Sequence, residues 1–178
     1  MRVISGKYKR RTFEVPRNFK ARPTTDFAKE NLFNVLNNLI DLEECANVLD
    51  LFAGTGSMSY EFASRGARSI TSVEINAVHH NFIRTTARAL GADNIFAVKA
   101  NVFLYLRSCP KSFDIVFSDA PYDLEGLDQV VDMVLGEKIL KDDGIFIFEH
   151  SDKYNFENHP YFWQSRSYGS VQFSFFKK

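Results

Sequence analysis

Apolar residues along this chain recur in two rhythms, one helical and one strand-like. From Thr25 onward, Leu32, Val35, Leu36, Leu39 and Ile40 share one face at helical spacing, with Thr25 or Asp26 placed to cap it, so a helix is predicted that stops near Asp41. Beyond it, short segments rich in apolar or β-branched residues at 47–52, 69–74, 95–99, 113–118 and 145–148 predict strands. Helical spacing fills the gaps: 57–64 closed by Gly66, 76–90 closed by Gly91, 102–107, and the stretch bearing Leu127, Val130, Val131, Val134 and Leu135. The alternation breaks at 162–168 and 171–176, two runs separated by Gly169-Ser170, a hairpin signal. Strand and helix in alternation call for parallel strands joined by crossover helices. The prediction is an α/β, Rossmann-like fold: a seven-stranded mixed sheet, five strands parallel, with a C-terminal antiparallel hairpin at its edge. Residues 1–15 alternate loosely about Ser5-Gly6-Lys7-Tyr8, which predicts a short β-hairpin, and 16–24 reads as an irregular lead-in. The expected organisation is an N-terminal arm over 1–24, an appendage to a main domain over 25–178.

Length and charge refine this picture. The 178 residues suit one domain with a sizeable core. No apolar run approaches the roughly 18 residues of a membrane span, and residues 1–7 lack the apolar stretch of a signal peptide, so a cytoplasmic protein without membrane contact is expected, monomeric by default. Cys45 and Cys109, far apart and without metal-ligand spacing, predict neither a disulfide nor a metal site. The formal net charge of +0 conceals a polarity. Within 1–24, Arg2, Lys7, Lys9, Arg10, Arg11, Arg17, Lys20 and Arg22 oppose Glu14 alone, a local charge of +7 that the remainder balances with −7. A basic arm on an acidic body favours nucleic acid as partner, with Tyr8, Phe13 and Phe19 at hand to stack on bases; a solvated basic tail is the plainer alternative.

Two loops carry the chemistry. Asp50-Leu51-Phe52-Ala53-Gly54-Thr55-Gly56 follows the first predicted strand and opens a helix, so its glycines let backbone approach a nucleotide-like ligand. The Gly-x-Gly turn alone is weak evidence, since the third position of the dinucleotide fingerprint is Ser59 here. Glu74 ends the second strand 18 residues after Gly56, where such folds place a carboxylate on ribose hydroxyls. Asn101 and Val102 follow the third strand and offer an amide and a backbone N–H to an adenine edge. Ser118-Asp119-Ala120-Pro121-Tyr122 follows the fourth. There the Asp119 carboxylate and the Ala120 carbonyl can hold the hydrogens of an exocyclic base amine and turn its lone pair toward a methyl donor. Pro121 stiffens the turn, Tyr122 stacks on the base, and the base must be flipped out or single-stranded. The residues His79, His80, His150, His159 and Trp163 read as structural.

Arg22-Pro23-Thr24-Thr25 with Glu30 and Leu32-Phe33-Asn34, the glycine loop, Glu74, Asn101, Asp119 to Tyr122 and the basic opening Arg2 to Arg11 together resemble the RsmD family of small-subunit ribosomal RNA guanine-N2 methyltransferases, over nearly the whole chain. The resemblance implies a class I S-adenosylmethionine-dependent methyltransferase. It implies cofactor binding by Asp50, Phe52, Gly54, Gly56, Glu74, Asn101 and Val102, with chemistry at Asp119, Ala120, Pro121 and Tyr122. RNA would be docked by Arg2, Lys7, Lys9, Arg10, Arg11, Arg22 and Thr24. The implied substrate is ribosomal RNA in the small subunit or its assembly intermediate, at the guanine numbered 966 in the 16S molecule. One departure stands out: Ala120 replaces the first proline of the family's Asp-Pro-Pro-Tyr tetrad, which keeps the carbonyl acceptor and loses rigidity. Alternatives are a non-catalytic RNA-binding assembly factor on the same scaffold and an amino-methyltransferase acting on another base. A nicotinamide oxidoreductase fits the fold and not the tetrad.

Overall fold

The computed structural model describes residues 1–17, 19, 24–43, 46–136 and 138–178. Lys20, Arg22, Pro23 and Cys45 lie outside the described residues. After α1 (Asp26–Leu36), strands and helices alternate: β1 (Asn47–Leu51), α2 (Ser57–Ser64), β2 (Ser69–Glu74), α3 (Ala77–Leu90), β3 (Ile95–Lys99), α4 (Val102–Ser108), β4 (Phe113–Asp119), α5 (Leu127–Gly136) and β5 (Leu140–His150). The chain then runs through β6 (Phe162–Tyr168) and β7 (Val171–Lys177). The sheet order is β3-β2-β1-β4-β5-β7-β6, with β1 to β5 parallel and β7 antiparallel to both β5 and β6. This is the predicted seven-stranded mixed sheet, with β7 inserted between β5 and the edge strand β6. The order reverses direction between β1 and β4, the switch point where open α/β sheets bind ligands.

The central strands are apolar on both faces because both are covered. On one face Val48, Ile70, Ile115, Phe117, Ile147 and Phe173 pack with α1 and α2 through Leu32, Phe33, Leu36, Met58 and Phe62. On the other, Leu49, Leu51, Val73, Val116, Phe146 and Phe148 pack with α4 and α5 through Val102, Leu106, Val130 and Val134. Among the described residues, no helix is long and apolar enough to cross a membrane.

Three boundaries depart from the sequence pattern. The first helix ends at Leu36 rather than near Asp41: Asn38 bonds back to the Asn34 carbonyl (2.9 Å), and the chain unwinds into turns that still tuck Leu39 and Ile40 against the core. Strand β5 begins at Leu140, because a bulge opposite Phe113–Ile115 absorbs the polar residues Lys141, Asp142 and Asp143, which carry no strand signal. The N-terminal β-hairpin is reduced to an isolated antiparallel bridge, Arg2 to Thr12.

That N-terminal segment is packed rather than hung as an appendage. Residues 5–10 coil onto the C-terminal end of α2, where Lys7 N–H donates to the Ser64 carbonyl (2.7 Å) and Tyr8 N–H to Ser64 Oγ (2.9 Å). Gly6, at φ 80°, lies so close that a Cβ would stand 1.9 Å from the Ser64 carbonyl oxygen. Val3 and Tyr8 are buried in the core. Beneath them the buried Lys29 ammonium donates to the Arg2 carbonyl (2.8 Å) and neutralises Glu61 (3.6 Å), which accepts from Ile4 N–H (2.6 Å). A charge buried this deeply is tolerable because it is paired and hydrogen-bonded.

Candidate functional site

Strand parity builds the site. Asp50 is in register with Ser72 on β2 and Phe117 on β4, while Asp119 is in register with Glu149 on β5. Residues two apart on a strand share a face, so Asp50, Glu74, Asp119 and Glu149 all project to the α1/α2 side at the carboxyl ends of four adjacent strands. Where the strands stop, a cleft of about 670 Å³ opens, lined by these four acids together with Thr24, Thr25, Phe52, Gly54, Ser57, Met58, Ile75, Ala120, Pro121 and Tyr122. Among the described residues, no group of three or more His, Cys, Asp or Glu side chains could hold a metal ion.

The glycine loop forms the wall over β1. Phe52 (φ 57°), Gly54 (φ 53°) and Gly56 (φ 76°) alternate in left-handed conformations, an unfavourable state for Phe52 of the kind found where backbone must meet a ligand. The loop is pinned by Ala53 N–H to the Val73 carbonyl (3.0 Å) and by Gly54 N–H to Glu74 Oε2 (2.8 Å). Gly56 is required twice, by its φ and because a Cβ would lie 2.7 Å from Tyr60 Oη. Helix α2 then starts with no side-chain cap, and among the described residues Ser57 Oγ is buried without a hydrogen-bond partner. A buried, unsatisfied hydroxyl beside an uncapped helix start is a place for a polar ligand group.

The four carboxylates differ in their surroundings. Glu74 accepts from Gly54 N–H and, through Oε1, from Asn76 N–H (2.7 Å). Asp50 accepts a short bond from Ser59 Oγ (2.5 Å); burial nevertheless pushes its pKa up to about 7, the bonds from Ser59 holding it down in part and the charge of Glu74 adding to the rise. Asp119 is also pushed up to about 7, by burial and by Asp50, with Thr24 opposing. Glu149 rises to about 9, through burial and the neighbouring Asp119, against a hydrogen bond from Thr24 Oγ1 (3.3 Å). Near pH 7 Glu149 is therefore largely neutral while Asp50 and Asp119 are close to half-protonated, and a cation placed among them would draw protons off.

Of the residues singled out from sequence, Asp50, Phe52, Gly54, Glu74, Asp119, Ala120, Pro121, Tyr122 and Thr24 line this cleft. Tyr122 is 47 % exposed at its rim while Ala120 is buried. Gly56 lies behind the wall as a turn and packing residue. Asn101 and Val102 do not line the cleft: Asn101 Oδ1 caps α4 by accepting from Leu104 N–H (3.2 Å), and Val102 is buried in the second core. Thr24 belongs to the cleft interior rather than to the basic surface. On that surface Arg2 pairs with Asp26 (3.0 Å), Arg11 donates to the Ala89 carbonyl (3.3 Å), Lys7 sits over the Tyr8 ring, and Lys9 and Arg10 are exposed. The three aromatics offered for base stacking are committed elsewhere: Tyr8 is buried, Phe13 packs near Tyr60, and Phe19 stacks on His79 at 4.2 Å. Sequence reasoning missed Glu149 and Ser57. Glu149 carries the same signal as Glu74 and Asp119, an acid at the carboxyl end of a predicted strand.

Fold and cleft define the class, a Rossmann-like methyltransferase fold. The family model described as "Conserved hypothetical protein 95" matches residues 1–177, and the chain belongs to that family, the RsmD family of the motif resemblance. Ribosomal RNA small subunit methyltransferase D of Buchnera aphidicola subsp. Baizongia pistaciae is 31% identical over 156 residues, 87% of this chain and 78% of the relative. The protein of the same name from Escherichia coli K12 is 33% identical over 150 residues, covering 84% and 74%. The solved structure of Escherichia coli yhhF superposes with a TM-score of 0.86 at 26% identity, over 100% of this chain and 97% of that one.

Proposed function

We propose that this protein transfers the methyl group of S-adenosylmethionine to the exocyclic N2 of a guanine in small-subunit ribosomal RNA. One observation carries the reading: strand parity brings a ribose-type acid, Glu74, and an amine-holding turn, Asp119 to Tyr122, into one cleft on either side of the glycine loop. The relatives named as small-subunit ribosomal RNA methyltransferases supply the substrate class. The residues fit the cofactor. Glu74 spends one lone pair of each oxygen on backbone and keeps others for ribose hydroxyls, and Ser57 Oγ offers an unpaired polar atom. The cleft volume falls within the range of about 300–1,000 Å³ usual for small-molecule sites.

When bound, S-adenosylmethionine supplies an electrophilic methyl on a positively charged sulfur. The protein's part is to orient the amine and move its proton. Asp119 and the Ala120 carbonyl accept the two N2 hydrogens, which turns the nitrogen lone pair out of conjugation and toward the donor. Tyr122 stacks on the base from the rim. Asp119, with its pKa near neutrality, stands ready to take the proton that the methylated amine sheds. RNA reaches the cleft past the basic N-terminal segment, with Lys9 and Arg10 on phosphate. Asp119→Ala should lower single-turnover transfer by about 100-fold or more with cofactor affinity changed less than about 3-fold. Full activity in that variant would refute the assignment.

A further inference from the structure

Glu149 is an acid of the cleft to which the proposed chemistry gives no part. It is buried, lines the cleft, and stands directly beside Asp119 across the β4–β5 register. One of its oxygens, Oε2, is held by Thr24 Oγ1 at 3.3 Å, and Thr24 is itself buried at the foot of α1. That bond anchors the carboxyl of a residue that lines the cleft. Ala120, Asp119 and Glu149 thus line the cleft side by side at the ends of two neighbouring strands, and each carries an oxygen that can accept a hydrogen bond.

A guanine edge answers such a row. Its N2 amine carries two donor hydrogens, and the adjacent N1 carries a third. Adenine and 2-aminopurine have a lone pair at N1 instead. We infer that Glu149 reads the base: its Oε1 accepts the N1–H of the guanine whose N2 amine is held by Asp119 and the Ala120 carbonyl. The inference rests on the proposed function above and adds to it the residue that makes the site specific for guanine. Burial beside Asp119 holds Glu149 largely neutral. When Oε2 carries the proton it donates to Thr24 Oγ1, the reverse of the bond it accepts when ionised; Oε1 remains an acceptor, and no second charge is buried next to Asp119.

The test uses small subunits reconstituted with guanine or 2-aminopurine at the acceptor position, since both bases carry the 2-amino group and only guanine carries N1–H. Wild-type protein should prefer guanine in kcat/KM. Glu149→Ala should lower the guanine value by about 10- to 100-fold while changing the 2-aminopurine value by less than about 3-fold, which collapses the preference. Glu149→Gln, whose amide oxygen is again an acceptor, should recover part of the preference, and its thermal unfolding controls for damage to the fold. Equal losses on both bases in Glu149→Ala would overturn the inference and leave Glu149 a structural acid. Wild-type protein that methylates neither base would instead overturn the proposed function, and the inference with it.

Discussion

At the scale of single residues, burial is what turns ordinary acids into site residues. Asp50, Asp119 and Glu149 titrate near 4 in an unfolded chain and well above it here, so the folded protein holds more protons than the unfolded one through the interval between. Stability contributed by these groups is fully present below about pH 4 and is lost as pH rises through about 7 and then about 9. The ligand-free protein should therefore melt at progressively lower temperature from pH 5 to pH 9, and Glu149→Gln should flatten the decline. A wild-type Tm that rises over that range would contradict the burial argument. Cofactor binding should release protons, because the cationic sulfur favours the ionised acids; calorimetry at pH 7 in buffers of different ionisation enthalpy measures it. Glu74→Ala should weaken cofactor binding by at least about 10-fold, through loss of the ribose acceptor and of the Gly54 anchor. At this scale the sequence was most legible where an acid at a strand end stands at a familiar spacing or within a motif, as Glu74 and Asp119 do; Glu149, at a strand end with neither, was passed over. The sequence does not decide Asn101, because an asparagine at a strand end serves a helix cap as readily as a ligand, and local pattern does not separate the two.

At the scale of elements, apolar patterning together with turn signals located the strands and helices, most plainly the central strands, whose two covered faces leave them rich in apolar residues. What it could not locate were features held by polar or tertiary interactions: the bulge that lengthens β5, the unwinding after Leu36, and the N-terminal segment. In that segment the sequence shows basic residues about a glycine, while the structure shows Gly6 pressed against Ser64 and Lys29 buried beneath Arg2. Gly6→Ala should cost about 1–3 kcal/mol, combining a left-handed φ with a clash against backbone, and lower Tm by at least about 3 °C. An unchanged Tm would mean that this segment is not held on α2 as described.

For the whole molecule, the charge polarity acquires a geometry. The basic segment is fastened to α2, the helix whose start walls the cleft, so the proposed phosphate contacts and the proposed chemistry sit on one frame. Replacing Lys9, Arg10 and Arg11 by alanine should weaken RNA binding and reduce the log–log salt slope by about 0.7–0.9 for each phosphate that is no longer neutralised. An unchanged slope would make the basic surface a solubilising face. The central claim is methyl transfer to guanine N2, and it is tested most directly by incubating the purified protein with labelled S-adenosylmethionine and small subunits that lack the modification, then analysing the nucleosides. The account predicts a single labelled product, N2-methylguanosine; no incorporation by protein shown to bind the cofactor, or label on any other nucleoside, would contradict it.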